Sequence, residues 1–329
     1  MQNTLYDNAL RISTFFVKDV ALMDIREEID KYLNYCKNQK KLSQKTAKAY
    51  SIDLKQFISF FDQNQGESMT KAGICSYISE LHKKYAPKTA KRKLASLRVF
   101  LNYLEFEEII EVNPLRKIKT RFQEPKILPK VMPINLIETL LTTAHSQTLL
   151  AKTKQEKIAA WRDATVIELL FATGIRVSEL CSLKAGDVDL ESGCVNVMGK
   201  GSKQRMVHIG NPEVLSILQK YHSANLASIS KCGFFFVNRL SNRLSEQSVR
   251  FILQNLCNKA NISIKITPHM FRHSFATLLL EEDVDIRYIQ KMLGHSSIQT
   301  TQIYTQVSTE KQRQILVVKH PRNKISIKN

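Results

Sequence analysis

The sequence predicts a mainly α protein with a small antiparallel β-sheet, divided into two domains. Three observations carry this. The chain is 329 residues long, which at roughly 150 residues per domain suggests two. Apolar residues recur at helical spacing along most of it. One pair of short alternating segments, residues 194–198 (CVNVM) and 204–209 (QRMVHI), flanks a Gly-rich turn, the pattern of a hairpin.

Composition narrows the class of partner. There are 49 Lys and Arg against 30 Asp and Glu, a net charge of +19, and a strongly basic chain points to a polyanion, nucleic acid first. The excess is not confined to a tail. Residues 1–132 hold 24 basic and 15 acidic side chains, and the remainder 25 and 15. Two basic domains suit a clamp closing on a duplex from opposite sides. The six cysteines have no C-x-x-C spacing, so neither a zinc site nor a disulfide framework is indicated, and reduced, structural thiols in a cytoplasmic protein are expected. No run approaches the ~20 apolar residues of a membrane span. The apolar patch at residues 12–23 is broken by Lys18 and Asp19, unlike a signal peptide.

Taken in order, residues 1–23 form a weakly patterned N-terminal extension. A helical domain follows over residues 24–114. Ile25, Ile29, Tyr32 and Leu33 share one face. Ser43 is a plausible N-cap for a helix in which Ala47, Tyr50, Leu54, Phe57, Ile58 and Phe61 face the core. Lys45, Lys48 and Lys55 lie off that stripe, as a solvated face or as a face laid along phosphates. After a loop and a helix near residues 72–84 comes a segment with Leu94, Leu97, Leu101 and Leu104 buried. Lys88, Lys91, Arg92, Lys93 and Arg98 crowd its first half. Cations at a helix start oppose the helix dipole, so an anion should compensate them, and DNA phosphate fits. Residues 115–133, with three prolines among many cations, read as an extended basic linker.

The second domain spans residues 134–304. Residues 134–144 are a helix candidate, 146–161 a polar loop or helix extension, and 163–173 (DATVIELLFAT) a buried helix stopped by Gly174. A new helix starts at Arg176. The hairpin 194–209 projects Lys200 and Lys203 at its Gly-rich tip, and a third strand is expected near residues 234–238. Helices resume at 245–260 and through 267–304. Residues 305–329 are a tail with an apolar run at 315–318 inside a helix candidate, 308–319.

The stretch 267–304 gathers His269, Arg272, His295 and Tyr304 within forty residues. Such a set suits a phosphate ester: guanidinium binds non-bridging oxygens, imidazole moves protons, and a phenol attacks phosphorus. Arg176, between apolar residues after a glycine stop, occupies a setting that demands an anion, and Glu179 lies one turn further on. For each of these residues alone a structural role is the simpler reading. His273 is read as structural.

Four segments in order, ATGIRVSEL, GKGSKQR, PHMFRHSFAT and LGHSSIQTTQIYT, resemble the tyrosine recombinase (phage integrase-like) family, in particular its bacterial Xer branch. The resemblance spans the whole chain and is specific in the second domain. It implies a helical core-binding (SAM-like) domain followed by an α+β catalytic domain. It implies Tyr304 as nucleophile forming a 3′-phosphotyrosyl link, Arg176 and Arg272 clamping the phosphate, Lys200 protonating the 5′-oxygen, His269 and His295 assisting, and Glu179 orienting an active-site cation. Lys45, Lys48, Lys88, Lys91, Arg92 and Lys203 are the expected DNA contacts. The expected partner is double-stranded DNA with inverted-repeat half-sites, bound by a homotetramer or with a hetero-partner recombinase, the tail docking between protomers. Neither a metal nor another cofactor is expected, since the set is almost wholly cationic. The residues leave room for two rivals, a catalytically inactive DNA-binding or architectural protein and a type IB-like topoisomerase.

Overall fold

The structure, a computed structural model, describes residues 25–64, 70–118, 120, 130–199 and 204–294. The chain divides into two compact units, Met1–Lys126 and Ile127–Asn329. The N-terminal extension, most of the linker, Lys200, Lys203, His295, Tyr304 and the tail helix candidate lie outside the described residues. Among the described residues no helix is long and apolar enough to cross a membrane.

The first unit is a helical bundle of α1 (Ile25–Asn38), α2 (Gln44–Asn64), α3 (Lys71–Lys84) and α4 (Pro87–Phe106), followed by a 3-10 turn, Pro114–Lys117. Ser43 caps α2 as expected, its Oγ accepting from the Thr46 amide at 3.2 Å. The expected stripes close on one core. Ile29, Tyr32, Leu54, Phe57, Leu94, Leu97, Leu101 and Leu104 are all buried, with Phe57 edge-on to Tyr77 at 5.0 Å.

The cations at the start of α4 are compensated partly inside the fold. Lys93 is 3% exposed and donates to Asp53 Oδ1 at 3.1 Å, while Arg92 pairs with the other carboxylate oxygen. Ser96 Oγ donates to the same carboxylate at 2.8 Å. Lys93 also stacks over the Tyr85 ring, 4.7 Å from its centroid. For Lys93 the expectation of an external anion is therefore replaced by a buried internal one. Positions 93, 97, 100 and 104 share a helix face, and that face is the core.

The second unit contains α5 (Ile134–Leu150), α6 (Lys154–Thr173) and α7 (Val177–Ser182). Next come β1 (Val188–Asp189), β2 (Cys194–Met198) and β3 (Gln204–His208), then α8 (Pro212–Cys232), α9 (Glu246–Lys259), α10 (Pro268–Glu281) and α11 (Ile286–Leu293). Helix α6 lies at its centre, with Val166, Ile167, Leu169 and Leu170 fully buried. Of the two readings of the polar segment 146–161, the helix extension holds: the segment ends α5 at Leu150 and begins α6 at Lys154. Thr153 and Glu156 form a reciprocal capping box, with Glu156 N to Thr153 Oγ1 at 3.2 Å and Thr153 N to Glu156 Oε2 at 3.0 Å.

The sheet is antiparallel in the order β1-β2-β3, with Val195 opposite Val207 and Val197 opposite Arg205. Its third strand is β1, not the segment near 234–238. That segment makes only single bridges, Lys184 to Phe234 and Val237 to Arg243. Phe235, Phe236 and Val237 are consecutively buried, so they lack the two-sided alternation of a strand in this half-exposed sheet. Tyr221 holds the segment instead. Its hydroxyl donates to Phe235 O at 3.2 Å and accepts from Val237 N at 3.1 Å.

Candidate active site

The site begins where α6 stops. Gly174 adopts φ +59, and its amide donates to Leu170 O at 3.1 Å. That left-handed turn favours glycine on backbone grounds, and packing reinforces it, because a Cβ there would lie 2.6 Å from Phe275 Cδ1. Ile175 is buried, and Arg176 is the N-cap residue of α7. It has no side-chain oxygen to cap the helix, so Glu179, three residues on, reaches back. Its Oε2 accepts from the Arg176 amide at 2.8 Å and its Oε1 from Arg176 Nη1 at 2.8 Å.

Glu179 is 5% exposed and serves a second guanidinium. Arg205 donates from Nη1 to Oε1 at 3.1 Å and from Nη2 to Oε2 at 2.8 Å, a bidentate pair. Burial acts to raise the Glu179 pKa. The bonds from Arg205 and Arg176 outweigh it and hold the carboxyl below its ordinary range. One buried carboxylate thus faces two guanidiniums, leaving a net positive cluster. Among the described residues only Nη1 of the Arg176 guanidinium is bonded, and that side chain is a third exposed.

Arg272 arrives from α10 and is buried. Its Nη1 donates to Gly174 O at 2.8 Å and its Nη2 to Leu293 O at 2.6 Å. Both carbonyls sit at helix C-terminal ends, of α6 and α11, where the helix dipole favours a cation. Arg205 adds a third tie at the same place, Nε to Met292 O at 2.8 Å. The C-terminal end of α11 is therefore held by two arginines. It closes on Gly294 at φ +63, the residue just before the segment carrying His295 and Tyr304.

The expected residues fall into three groups. Arg176, Glu179 and Arg272 meet at the end of α6. His269 is exposed on the first turn of α10, one turn before Arg272. Lys200, His295 and Tyr304 lie outside the described residues, as does Lys203. In the first unit Lys45, Lys48, Lys88 and Lys91 are exposed, and Arg92 is exposed while paired with Asp53. His273 is buried on α10.

Sequence reasoning passed over Arg205, which lay inside the expected strand. A signal was present. Val207 is a core residue of β3, and strand alternation places Arg205 on the same side two residues earlier. An arginine on a core-facing position requires a buried acid, and Glu179 was already identified.

Comparison with known proteins bears on the whole chain. The phage integrase family model matches residues 139–311, and the phage integrase N-terminal SAM-like domain matches residues 29–108. A tyrosine recombinase of Agathobacter rectalis is 48% identical over 299 residues, covering 91% of this chain and 98% of its own. The tyrosine recombinase XerC of Leptospira interrogans is 36% identical over 304 residues, covering 90% of this chain and 94% of that one. Among solved structures, the XerH site-specific recombinase bound to a palindromic difH substrate in a post-cleavage complex has a TM-score of 0.71 at 21% identity. The match covers 97% of this chain and 89% of that one, a likeness of fold. With both domain models matched in order and close relatives aligned over almost their full length, the chain belongs to the phage integrase family of tyrosine recombinases.

Proposed function

We propose that the chain is a site-specific DNA recombinase that cuts and rejoins strands through a covalent link on Tyr304. The observation that carries this reading is the meeting of Arg176 and Arg272 at the end of α6, with Arg176 left partly exposed beside a net positive cluster. In the proposed step the Tyr304 phenol loses its proton and its oxygen attacks the scissile phosphorus. The bond to the 5′-oxygen breaks, leaving a 3′-phosphotyrosyl ester, and Lys200 gives the departing oxygen its proton. Arg176 and Arg272 stabilise the charge that gathers on the non-bridging oxygens as phosphorus becomes pentacoordinate. His269 and His295 donate to those oxygens or relay protons. Attack by a 5′-hydroxyl of another strand reverses the step, and the ester retains the energy needed for rejoining.

Lys45, Lys48, Lys88, Lys91, Arg92 and Lys203 serve in this reading as phosphate contacts. The substrate is double-stranded DNA with inverted half-sites, and the working assembly is a tetramer in which two protomers cut at a time, pass through a Holliday junction and then exchange the other pair of strands. The tail beyond Tyr304 joins neighbouring protomers, and the chain works on DNA of the nucleoid. The test is capture of covalent adducts on sheared genomic DNA. The wild-type chain should yield adducts at discrete sites and Tyr304→Phe none. Adducts that survive in Tyr304→Phe would remove the nucleophile assignment, and relaxation of any supercoiled plasmid without site preference would favour a topoisomerase.

A further inference from the structure

The geometry points to Arg205 as a positioning residue for strand cleavage, an inference that rests on the recombinase reading. All three of its guanidinium nitrogens are engaged within the protein, Nη1 and Nη2 on Glu179 and Nε on Met292 O. Its side chain is 12% exposed. With all three nitrogens engaged, it has less to offer a phosphate than Arg176, which is bonded at Nη1 alone among the described residues. It joins the two parts of the site that must be in register: the α7 start, where Glu179 orients Arg176, and the end of α11, from which the chain runs on to His295 and Tyr304.

Arg205 has two effects. The first is spacing. A planar fork anchored on both sides holds Met292 at a set distance from Glu179, while Arg272 ties the neighbouring Leu293 to Gly174. Gly294 packs on this fork, and a Cβ there would sit 3.0 Å from Arg205 Cδ. The second effect is charge. Glu179 with Arg176 alone would be neutral, and Arg205 restores one positive charge to the cluster, so Arg176 keeps its pull on a phosphate.

Two measurements test this in the full chain. The first needs no DNA. Hydrogen exchange should rise about tenfold at the Arg176 and Gly294 amides in Arg205→Met, with the distant amides of α9 unchanged. Unchanged protection at both amides refutes the brace. The second uses a duplex carrying a cleavage site mapped by adduct capture. Arg205→Met should slow single-turnover adduct formation about 10- to 100-fold with DNA affinity little altered. Arg205→Lys, which keeps charge without the fork, should fall between, and serves alone if Arg205→Met does not fold.

The same duplex with sulfur in place of the bridging 5′-oxygen removes the need for a leaving-group proton. It should rescue Lys200→Ala and leave Arg205→Met slow. Rescue of Arg205→Met would place its effect in the hairpin lysine and overturn the inference, as would Arg205→Met cutting at the wild-type rate. Absence of adducts from the wild-type chain would count against recombinase chemistry, and the exchange result still decides the brace.

Discussion

Arg272 on α10 donates to the carbonyl of Leu293 at 2.6 Å, so a buried guanidinium closes the end of α11 as well as contributing to the candidate site. Its other terminal nitrogen bonds Gly174 O, and no other side chain has the reach and planarity to serve both carbonyls at once. Arg272→Lys keeps the charge and abandons one carbonyl. It should destabilise the second unit by about 1–3 kcal/mol, the cost of an unsatisfied buried acceptor, and abolish adduct formation. Urea unfolding and adduct capture on the same preparations measure both losses.

Gly174→Ala puts a Cβ at φ +59 and 2.6 Å from Phe275 Cδ1. Backbone strain and overpacking together should cost about 2–4 kcal/mol. A drop in the urea midpoint of the second unit checks this. An alanine tolerated within about 0.5 kcal/mol, the ordinary range for a surface substitution, would contradict the packing described for that turn.

Asp53→Asn leaves the buried Lys93 ammonium without its counter-charge. The expected loss is about 3 kcal/mol, confined to α1–α4. Hydrogen exchange resolved by peptide should show faster exchange across those helices and unchanged rates in α6.

The exposed lysines and Arg92 should differ in how they affect DNA binding. Lys45→Ala and Lys48→Ala should each weaken binding to all sequences alike and lower the salt slope by about one. Arg92→Ala should lower it less, because Asp53 already neutralises part of that charge. Affinities measured across a series of salt concentrations decide the order.

His145 Nε2 lies 2.7 Å from Glu168 Oε1, and that hydrogen bond raises the imidazole pKa above its ordinary 6.5, against the opposing effect of burial. A folded pKa above the unfolded one means the stabilisation is fully present below pH 6.5 and is lost as the pH rises through the folded value. The side chain is 41% exposed, so the effect is small. Melting temperatures taken across this window should decline in the wild-type chain and lose that component in His145→Gln. An identical slope in the variant would assign the decline to other groups.

Much of the fold and part of the site can be read directly from the sequence. The leucine stripe of α4, the Ser43 cap, the Gly174 stop and the Cys194–Met198 strand all follow from local rules. Glu179 reads as the partner of Arg176 because three residues bring it back over the first turn of α7. What escaped required knowing what lies across the core. Lys93 counts as one more surface cation until the fold puts Asp53 opposite it. The run at 234–238 has the composition of a strand, but Tyr221 and Leu183 claim its backbone groups. The Thr153–Glu156 capping box was legible in the sequence and decides between the loop and helix-extension readings of 146–161.

The bonds that assemble the site join residues far apart along the chain: 98 positions from Arg272 to Gly174 and 87 from Arg205 to Met292. Contacts of that separation carry a large loop-closure cost and wait on the rest of the unit. A nascent or truncated chain ending before α10 has its basic first unit and Glu179, but no Arg272 to tie Gly174 to Leu293. In the proposed reading, the capacity to grip DNA therefore precedes the capacity to cut it during synthesis.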